Sequence, residues 1–356
     1  MMDAVGILGL GMYLPAEVRD NGWWSADVVA SWRRPTPATP PPPPPNATPG
    51  MRAVLAAMAE QAEDPFQGTS KRHVMAGDMD IGEMEVRAAR AAIAQAGVDL
   101  ADIDLVLTST TPIDRLLTNT ACDLHHRLGL PNACFALHVD GAQHAFLLQL
   151  TLAETMIKAG QARTALLVQS SAVSRILDYR SPISPVFGDG ATAVIVGRVA
   201  PDRGILASSH HTDGARPYTL IASVPGTTWY ADGRAILHMA DPIGMREILL
   251  RTVDVSVESI EGALARTPYR AADVDVFAMH QGMPWLRRLV QAHTGLEQAR
   301  SVDTFADTGH LFGAFVPSTL VAAERGGLLH DGDLVVIAGG GNGMSYGATV
   351  MRWGRG

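Results

Sequence analysis

The sequence contains only two cysteines among its 356 residues, Cys122 and Cys134. Both stand at apolar positions, in a predicted helix and a predicted strand, so we expect buried structural thiols and no reactive ones. Two cysteines provide no disulfide framework, and this scarcity is typical of a reducing compartment such as the cytosol.

Signals for several other classes of protein are also missing. No apolar run reaches the length of a membrane span, and nothing at the N-terminus resembles a signal peptide. The formal net charge of −8 argues against binding to nucleic acid or to an anionic membrane surface. The glycine-rich start, residues 5–15, reads as a strand and a turn, since it lacks the spacing of a phosphate-binding loop. We therefore expect a cytoplasmic protein with neither a nucleic-acid nor a membrane partner.

The residues that are present indicate a large folded core with one insertion. Hydrophobic residues make up 47% of the chain, enough for one large domain or two fused halves. Six consecutive prolines, Pro40 to Pro45, lie in a segment from about 35 to 50, which predicts an extended, solvated loop and less readily an SH3-type ligand. The spacing of apolar residues predicts an amphipathic helix over 82–96, closed by Gly97.

Two segments of the sequence occur twice in similar form. Residues 101–110, which read as a buried parallel strand, return in similar form at 272–281, and residues 190–196 return at 347–353. The two offsets are similar, which indicates two copies of one βαβ-type unit. We place an N-terminal half at 1–200 and a C-terminal half at 201–356. Ligands are expected where the C-terminal ends of the strands meet.

Residues 138–146 read as a strand end, a sharp turn of small residues and a helix start. Such an elbow suits a nucleophile, because backbone N–H groups and the helix dipole stabilise an anionic atom. Gln143 occupies the elbow, and neither cysteine lies there. A glutamine amide is no nucleophile near neutral pH, so the elbow predicts chemistry without a covalent intermediate.

Four segments in a fixed order resemble the thiolase superfamily, and most closely its β-ketoacyl-ACP synthase III branch. They are residues 105–112, the sequence FGDGA at 187–191, His280-Gln281 and the glycine-rich stretch 339–347. The resemblance covers nearly the whole chain outside the proline-rich insertion. It implies an α/β, thiolase-like fold in which two duplicated halves pack as an α-β-α-β-α sandwich. It also implies an acyltransferase-class enzyme without a metal or a permanently bound cofactor, whose substrate is a thioester of CoA or of phosphopantetheine on an acyl carrier protein.

The family uses a Cys–His–Asn triad, and the resemblance places its members one by one. The cysteine position falls on Gln143 and the histidine position on His280. Counting back from Pro317 without a gap places the asparagine position on His310, and Asp307 is a second candidate for a polar role. His144 also stands beside the elbow, but we expect it to point into the helix packing.

The glycine-rich turn completes the predicted site. Backbone N–H groups of Gln143 and of Gly341, Asn342 and Gly343 are expected to form an oxyanion hole for the enolate left when a malonyl group loses CO₂. Elsewhere, the adjacent His210 and His211 point in opposite directions on a strand, and no third ligand is evident, so we expect no metal site there. Tryptophans and arginines before the proline run fit either the mouth of a CoA tunnel or ordinary packing, and both interpretations stay open. They are Trp23, Trp24, Trp32, Arg33 and Arg34.

Two functions follow from the resemblance. The first is a ketosynthase III-like enzyme of polyketide or fatty-acid-type specialised metabolism that decarboxylates a malonyl-type thioester, or transfers an acyl group, without an acyl-cysteine. The alternative is a catalytically silent subunit. The resemblance implies a homodimer, or a heterodimer with a cysteine-bearing ketosynthase homologue. An ordinary condensing enzyme with another nucleophile ranks last.

Overall fold

The computed structural model describes residues 4–32 and 43–356. The predicted proline-rich insertion therefore lies partly outside the described residues, and its last residues already begin a helix at Pro49. The helices are α1 (Ala26–Trp32), α2 (Pro49–Glu60), α3 (Ile81–Ala96), α4 (Thr120–Leu128), α5 (Ala145–Lys158), α6 (Pro242–Leu264), α7 (Leu286–Thr294), α8 (Phe305–Thr308) and α9 (Phe315–Arg325). The strands are β1 (Val5–Tyr13), β2 (Glu17–Asp20), β3 (Lys71–Val74), β4 (Leu105–Thr111), β5 (Phe135–His138), β6 (Ala165–Ser171), β7 (Gly190–Arg198), β8 (Gly204–Thr212), β9 (Leu220–Ser223), β10 (Ile236–Met239), β11 (Val276–Met279), β12 (Leu334–Gly341) and β13 (Ser345–Arg352).

Two mixed sheets repeat one strand pattern. The first has the order β1-β7-β6-β4-β5, and the second, read in the same direction, has the order β8-β13-β12-β11. In each sheet the first two pairings are antiparallel and the next is parallel. The predicted duplication is therefore present, and the thiolase-like α/β fold is confirmed.

The two sheets and their helices form five layers. Helices α5 and α9 lie between the sheets in one apolar core that includes Phe146, Leu150 and Leu320. Helices α3 and α4 cover the outer face of the first sheet, and α6 and α7 cover that of the second. The first sheet draws its strands from residues before 200 and the second from residues after 201. Helix α2 precedes residue 200 in the sequence, but it packs on α6 and α7 of the second half. Because α2 does not follow the division of the strands, the boundary at 200 remains a prediction.

One predicted helix has the predicted bounds, and two predicted strands start later than predicted. Helix α3 matches the predicted helix: the Asp80 side chain accepts the N–H of Glu83 at its start, and Gly97 adopts φ 70° at its end. The predicted strands at 101–110 and 272–281 start later than predicted, because each repeat opens with a short 3₁₀ turn. In both repeats an aspartate then accepts a backbone N–H at the start of a neighbouring parallel strand: Asp104 from Thr164 before β6, and Asp275 from Leu334 of β12.

The expectation for the cysteines is half wrong. Cys134 is buried, in the turn that leads into β5, but Cys122 is exposed. Helix α4 turns Ala121, Leu124 and Leu128 inward, which leaves Cys122 on its outer face. Across residues 4–32 and 43–356, none of the helices combines the length and apolar character that crossing a lipid bilayer requires.

Candidate active site

The elbow at Gln143 is a tight turn between β5 and α5. The Asp140 carboxylate accepts the backbone N–H groups of Gly141 and Ala142 at 2.8 and 3.0 Å. Ala142 has a φ of 49°, a left-handed conformation that non-glycine residues rarely adopt. The turn just before α9 approaches closely, since a Cβ on Gly313 would lie 3.1 Å from the Ala142 carbonyl oxygen. The elbow is therefore fixed from both sides.

The glycine-rich turn after β12 lies against this elbow. Gln143 is 7% exposed, and its side-chain Oε1 accepts the backbone N–H of Asn342 at 3.0 Å. A Cβ on Gly341 would lie 2.6 Å from the Gly141 carbonyl oxygen, so only glycine permits the contact. One predicted oxyanion donor, the Asn342 N–H, is thus already bonded to the Gln143 amide.

The rest of the glycine-rich turn points elsewhere. The Asn342 side chain donates to the Leu220 carbonyl at 2.6 Å and accepts from the Thr219 hydroxyl, which ties the turn to β9. A side chain at Gly343 would meet no described atom within 4 Å. Of the three predicted turn residues, the structure places Gly341 and Asn342 at the elbow, but not Gly343.

His280 and His310 form a direct pair. Their Nε2 atoms lie 2.6 Å apart, and the two rings are perpendicular. His280 immediately follows β11, and its backbone N–H donates to the Ala338 carbonyl of β12. The His310 N–H donates to the Val186 carbonyl, and the His310 carbonyl accepts from Gly188, so the start of the FGDGA segment and the residue before it hold His310 in place.

Hydrogen bonds assign the tautomer of each ring in this pair. The backbone N–H of Phe312 donates to His310 Nδ1 at 3.2 Å, so the His310 proton lies on Nε2. That Nε2–H donates to His280 Nε2, which places the His280 proton on Nδ1. Burial lowers the pKa of His280 to about 4. Burial, with His280 beside it, lowers the pKa of His310 well below its ordinary value. Both imidazoles are therefore neutral near pH 7.

Two other candidates lie apart from the pair. Asp307 is exposed on the short helix α8, and its side chain has no hydrogen bond or ion pair among the described residues. His144 is buried, as expected, but its partners are polar: Ser345 and His210. No sequence pattern indicated these contacts, because both partners come from the other half of the chain.

The tryptophans before the proline run favour packing at two positions. The Trp24 and Trp32 indoles are buried and donate to the backbone carbonyls of Tyr179 and Arg180. Trp23 is half-exposed and lies under the guanidinium of Arg19, 4.3 Å from the ring centroid. The other two predicted members, Arg33 and Arg34, lie outside the described residues.

Comparison with known proteins agrees with this geometry. The family model described as 3-oxoacyl-[acyl-carrier-protein (ACP)] synthase III matches residues 138–214, and the model of its C-terminal part matches residues 264–353. These spans include the elbow, both histidines and the glycine-rich turn.

Solved structures with a similar fold superpose over almost the whole chain. Synthase III of Pseudomonas aeruginosa is 27% identical, with a TM-score of 0.79 and 98% of each chain covered. Synthase III of Thermus thermophilus is 23% identical, with a TM-score of 0.80, 99% of this chain and 100% of that chain covered. OleA of Xanthomonas campestris, with bound lauric acid and lauroyl-CoA, is 17% identical, with a TM-score of 0.77, 99% of this chain and 100% of that chain covered. The chain is a 3-oxoacyl-ACP synthase III-like protein with the fold of the thiolase superfamily.

Proposed function

We propose that this protein decarboxylates a malonyl-type thioester, carried on CoA or on an acyl carrier protein, without forming an acyl-enzyme. Gln143 takes the position of the family's nucleophilic cysteine, and His280 and His310 bind the thioester carbonyl. The observation that carries the proposal is the pair of neutral imidazoles whose Nε2 atoms converge at 2.6 Å, with the His310 Nε2 fixed as a donor.

The pair is suited to stabilise an enolate. The thioester oxygen replaces the contact between the two rings and accepts the His310 Nε2–H, as it accepts the asparagine amide in the family. His280 shifts its proton from Nδ1 to Nε2 and becomes the second donor. The bond between the α-carbon and the carboxylate then breaks, its electron pair forms the enolate, and CO₂ leaves. A proton from solvent adds to the α-carbon and yields the acetyl thioester.

Gln143 decides the fate of that enolate. Its amide fills the elbow and is bonded to Asn342, so no acyl group is held there as an electrophile. With no acyl-cysteine to attack, the enolate is protonated and condensation does not follow. Because no covalent acceptor is present, the same arrangement leaves acyl transfer only as a direct step between two substrates that are bound together.

The test is to incubate the purified protein with malonyl-CoA and with malonyl carrier protein. We expect CO₂ release and an acetyl thioester by mass spectrometry, strongly reduced in His280→Ala. His126→Ala on the exposed face of α4 is a matched control and should behave like wild type. Failure to decarboxylate either substrate, or an acyl adduct on the intact protein, would refute the proposal.

A second candidate function, the silent subunit, has its own supporting observation. Strand β5 is an edge of the first sheet and leaves Phe135 53% and Leu137 37% exposed. Exposed apolar residues on a free edge favour pairing with another chain. We propose that β5 continues the sheet into a homodimer or a heterodimer with a ketosynthase homologue. A protein that is inactive alone but changes the products of a cysteine-bearing homologue would establish this function in place of decarboxylation.

A further inference from the structure

A chain of hydrogen bonds between four polar side chains, of which His144 is buried and the other three are half-buried, runs beside the elbow and joins the two halves of the molecule. It starts at Ser345, the first residue of β13, passes through His144 and His210 and ends at Thr151 on α5. His144 immediately follows Gln143, and Ser345 follows the glycine-rich turn that holds the Gln143 amide. The proposed decarboxylation does not use these hydrogen bonds.

The geometry gives His144 two different partners through its two ring nitrogens. Nδ1 is hydrogen-bonded to the Ser345 hydroxyl, and Nε2 lies 3.0 Å from His210 Nδ1. His210 Nε2 in turn lies 2.8 Å from the Thr151 hydroxyl. His144 is 1% exposed, whereas Ser345, His210 and Thr151 are half-buried.

The backbone leaves room for this arrangement at one point. A Cβ on Gly347 would lie 2.6 Å from His144 Nε2 and 2.7 Å from His210 Nδ1, so a side chain at 347 would separate the rings. Both imidazoles are neutral near pH 7, because burial lowers the pKa of His144 to about 3 and also lowers that of His210. These hydrogen bonds therefore join neutral groups in fixed positions.

We propose that His144 is a positioning residue that holds the glycine-rich turn against the elbow through Ser345. Two hydrogen bonds of elbow side chains then supplement the close contact at Gly341, one between Asn342 and Gln143 and one between Ser345 and His144. Loss of the second lets the turn move relative to the elbow and to the bound thioester. The consequence for catalysis rests on the proposed function, whereas the consequence for the turn does not.

Two substitutions separate the roles of the two ring nitrogens. In His144→Asn the carboxamide lies near the position of Nδ1, so it retains the bond to Ser345 and loses the one to His210. In His144→Gln the carboxamide lies near Nε2, so it retains His210 and loses Ser345. We expect kcat for malonyl-thioester decarboxylation to fall by up to about 100-fold in the glutamine variant, with KM little changed, and to stay near wild type in the asparagine variant.

A second measurement is independent of activity. Hydrogen–deuterium exchange of the peptide covering 340–346 should accelerate in His144→Gln and in Ser345→Ala, but not in His144→Asn. The double variant His144→Gln/Ser345→Ala should be no worse than either single variant. Thr151→Val removes only the hydroxyl at the far end of these hydrogen bonds. It is the control and should leave exchange of the turn unchanged.

The outcomes distinguish the two hypotheses. If both His144 variants accelerate exchange equally and lower the melting temperature equally, His144 is only a packing residue and the inference is wrong. Unchanged exchange in His144→Gln also overturns it. If wild type does not decarboxylate malonyl thioesters while the exchange pattern appears as expected, the proposed function fails and the positioning role stands.

Discussion

Replacing Glu85 with glutamine should remove a large pH dependence from the stability of this protein. Glu85 lies on α3, 3% exposed, and its Oε1 accepts the Thr110 and Ser170 hydroxyls at 2.7 and 2.6 Å. No cation is paired with it among the described residues. Burial raises the pKa of Glu85 to about 7, although the two hydroxyl bonds act in the opposite direction.

The size of the effect follows from the two pKa values of this carboxyl. Its ordinary value is 4.5, so the folded protein binds the proton more tightly than the unfolded chain does. The stabilising contribution is complete below pH 4.5 and is lost as pH rises through about 7. Each pH unit between the two values is worth about 1.4 kcal/mol, so wild type should lose about 2 to 3 kcal/mol from this group between pH 5 and pH 8.

Urea unfolding at pH 5 and pH 8 measures this directly. The difference in unfolding free energy between Glu85→Gln and wild type should shift by about 2 to 3 kcal/mol in favour of the variant as pH rises. Taking the difference between Glu85→Gln and wild type cancels the contributions of the other titrating groups. Glu261→Gln, which removes an exposed carboxyl on α6, is the control and should show a much smaller shift. A difference that is constant with pH would refute the reasoning.

Three further outcomes are expected. His280 should make the protein acid-sensitive, because its pKa of about 4 in the folded protein lies below the ordinary 6.5. About 3 kcal/mol of unfolding free energy should be lost as pH falls from 6.5 to 4. Urea titrations of His280→Gln should not show this loss. His310→Asn should retain most of the CO₂ release, because an amide N–H replaces the Nε2–H, whereas His310→Ala should lose on the order of 100-fold. Phe135→Glu should lower the mass measured by light scattering towards the monomer at an unchanged melting temperature, and an unchanged mass would exclude the β5 edge as the interface.

Local sequence patterns predicted the elements and the class of fold well. The apolar spacing of α3 and its Gly97 cap are properties of adjacent residues, so they hold without tertiary context. The duplication was visible because the same aspartate-containing phrase opens β4 and β11. The start of each strand was placed too early, since the pattern does not separate a 3₁₀ turn from the strand that follows.

The candidate site was predicted less completely, because its contacts join distant parts of the chain. His280 and His310 are 30 residues apart, and Gln143 and Asn342 are 199 apart. Asp307, although close to His310 in sequence, lies on the outer side of a short helix. The direction of a side chain at such a turn depends on φ and ψ of a few residues, which no periodicity encodes.

The sequence by itself determined the thiolase-like fold and the absence of a cysteine at the elbow, because motif order and residue identity do not depend on packing. Only the tertiary structure decided that the Gln143 amide binds the Asn342 N–H, and that the Phe312 N–H fixes His310 as a donor towards His280. These are hydrogen bonds between buried groups, set by how the two halves pack and by the exclusion of water from between them. The missing nucleophile is thus a property of the sequence, whereas the polar site around it is a property of the fold.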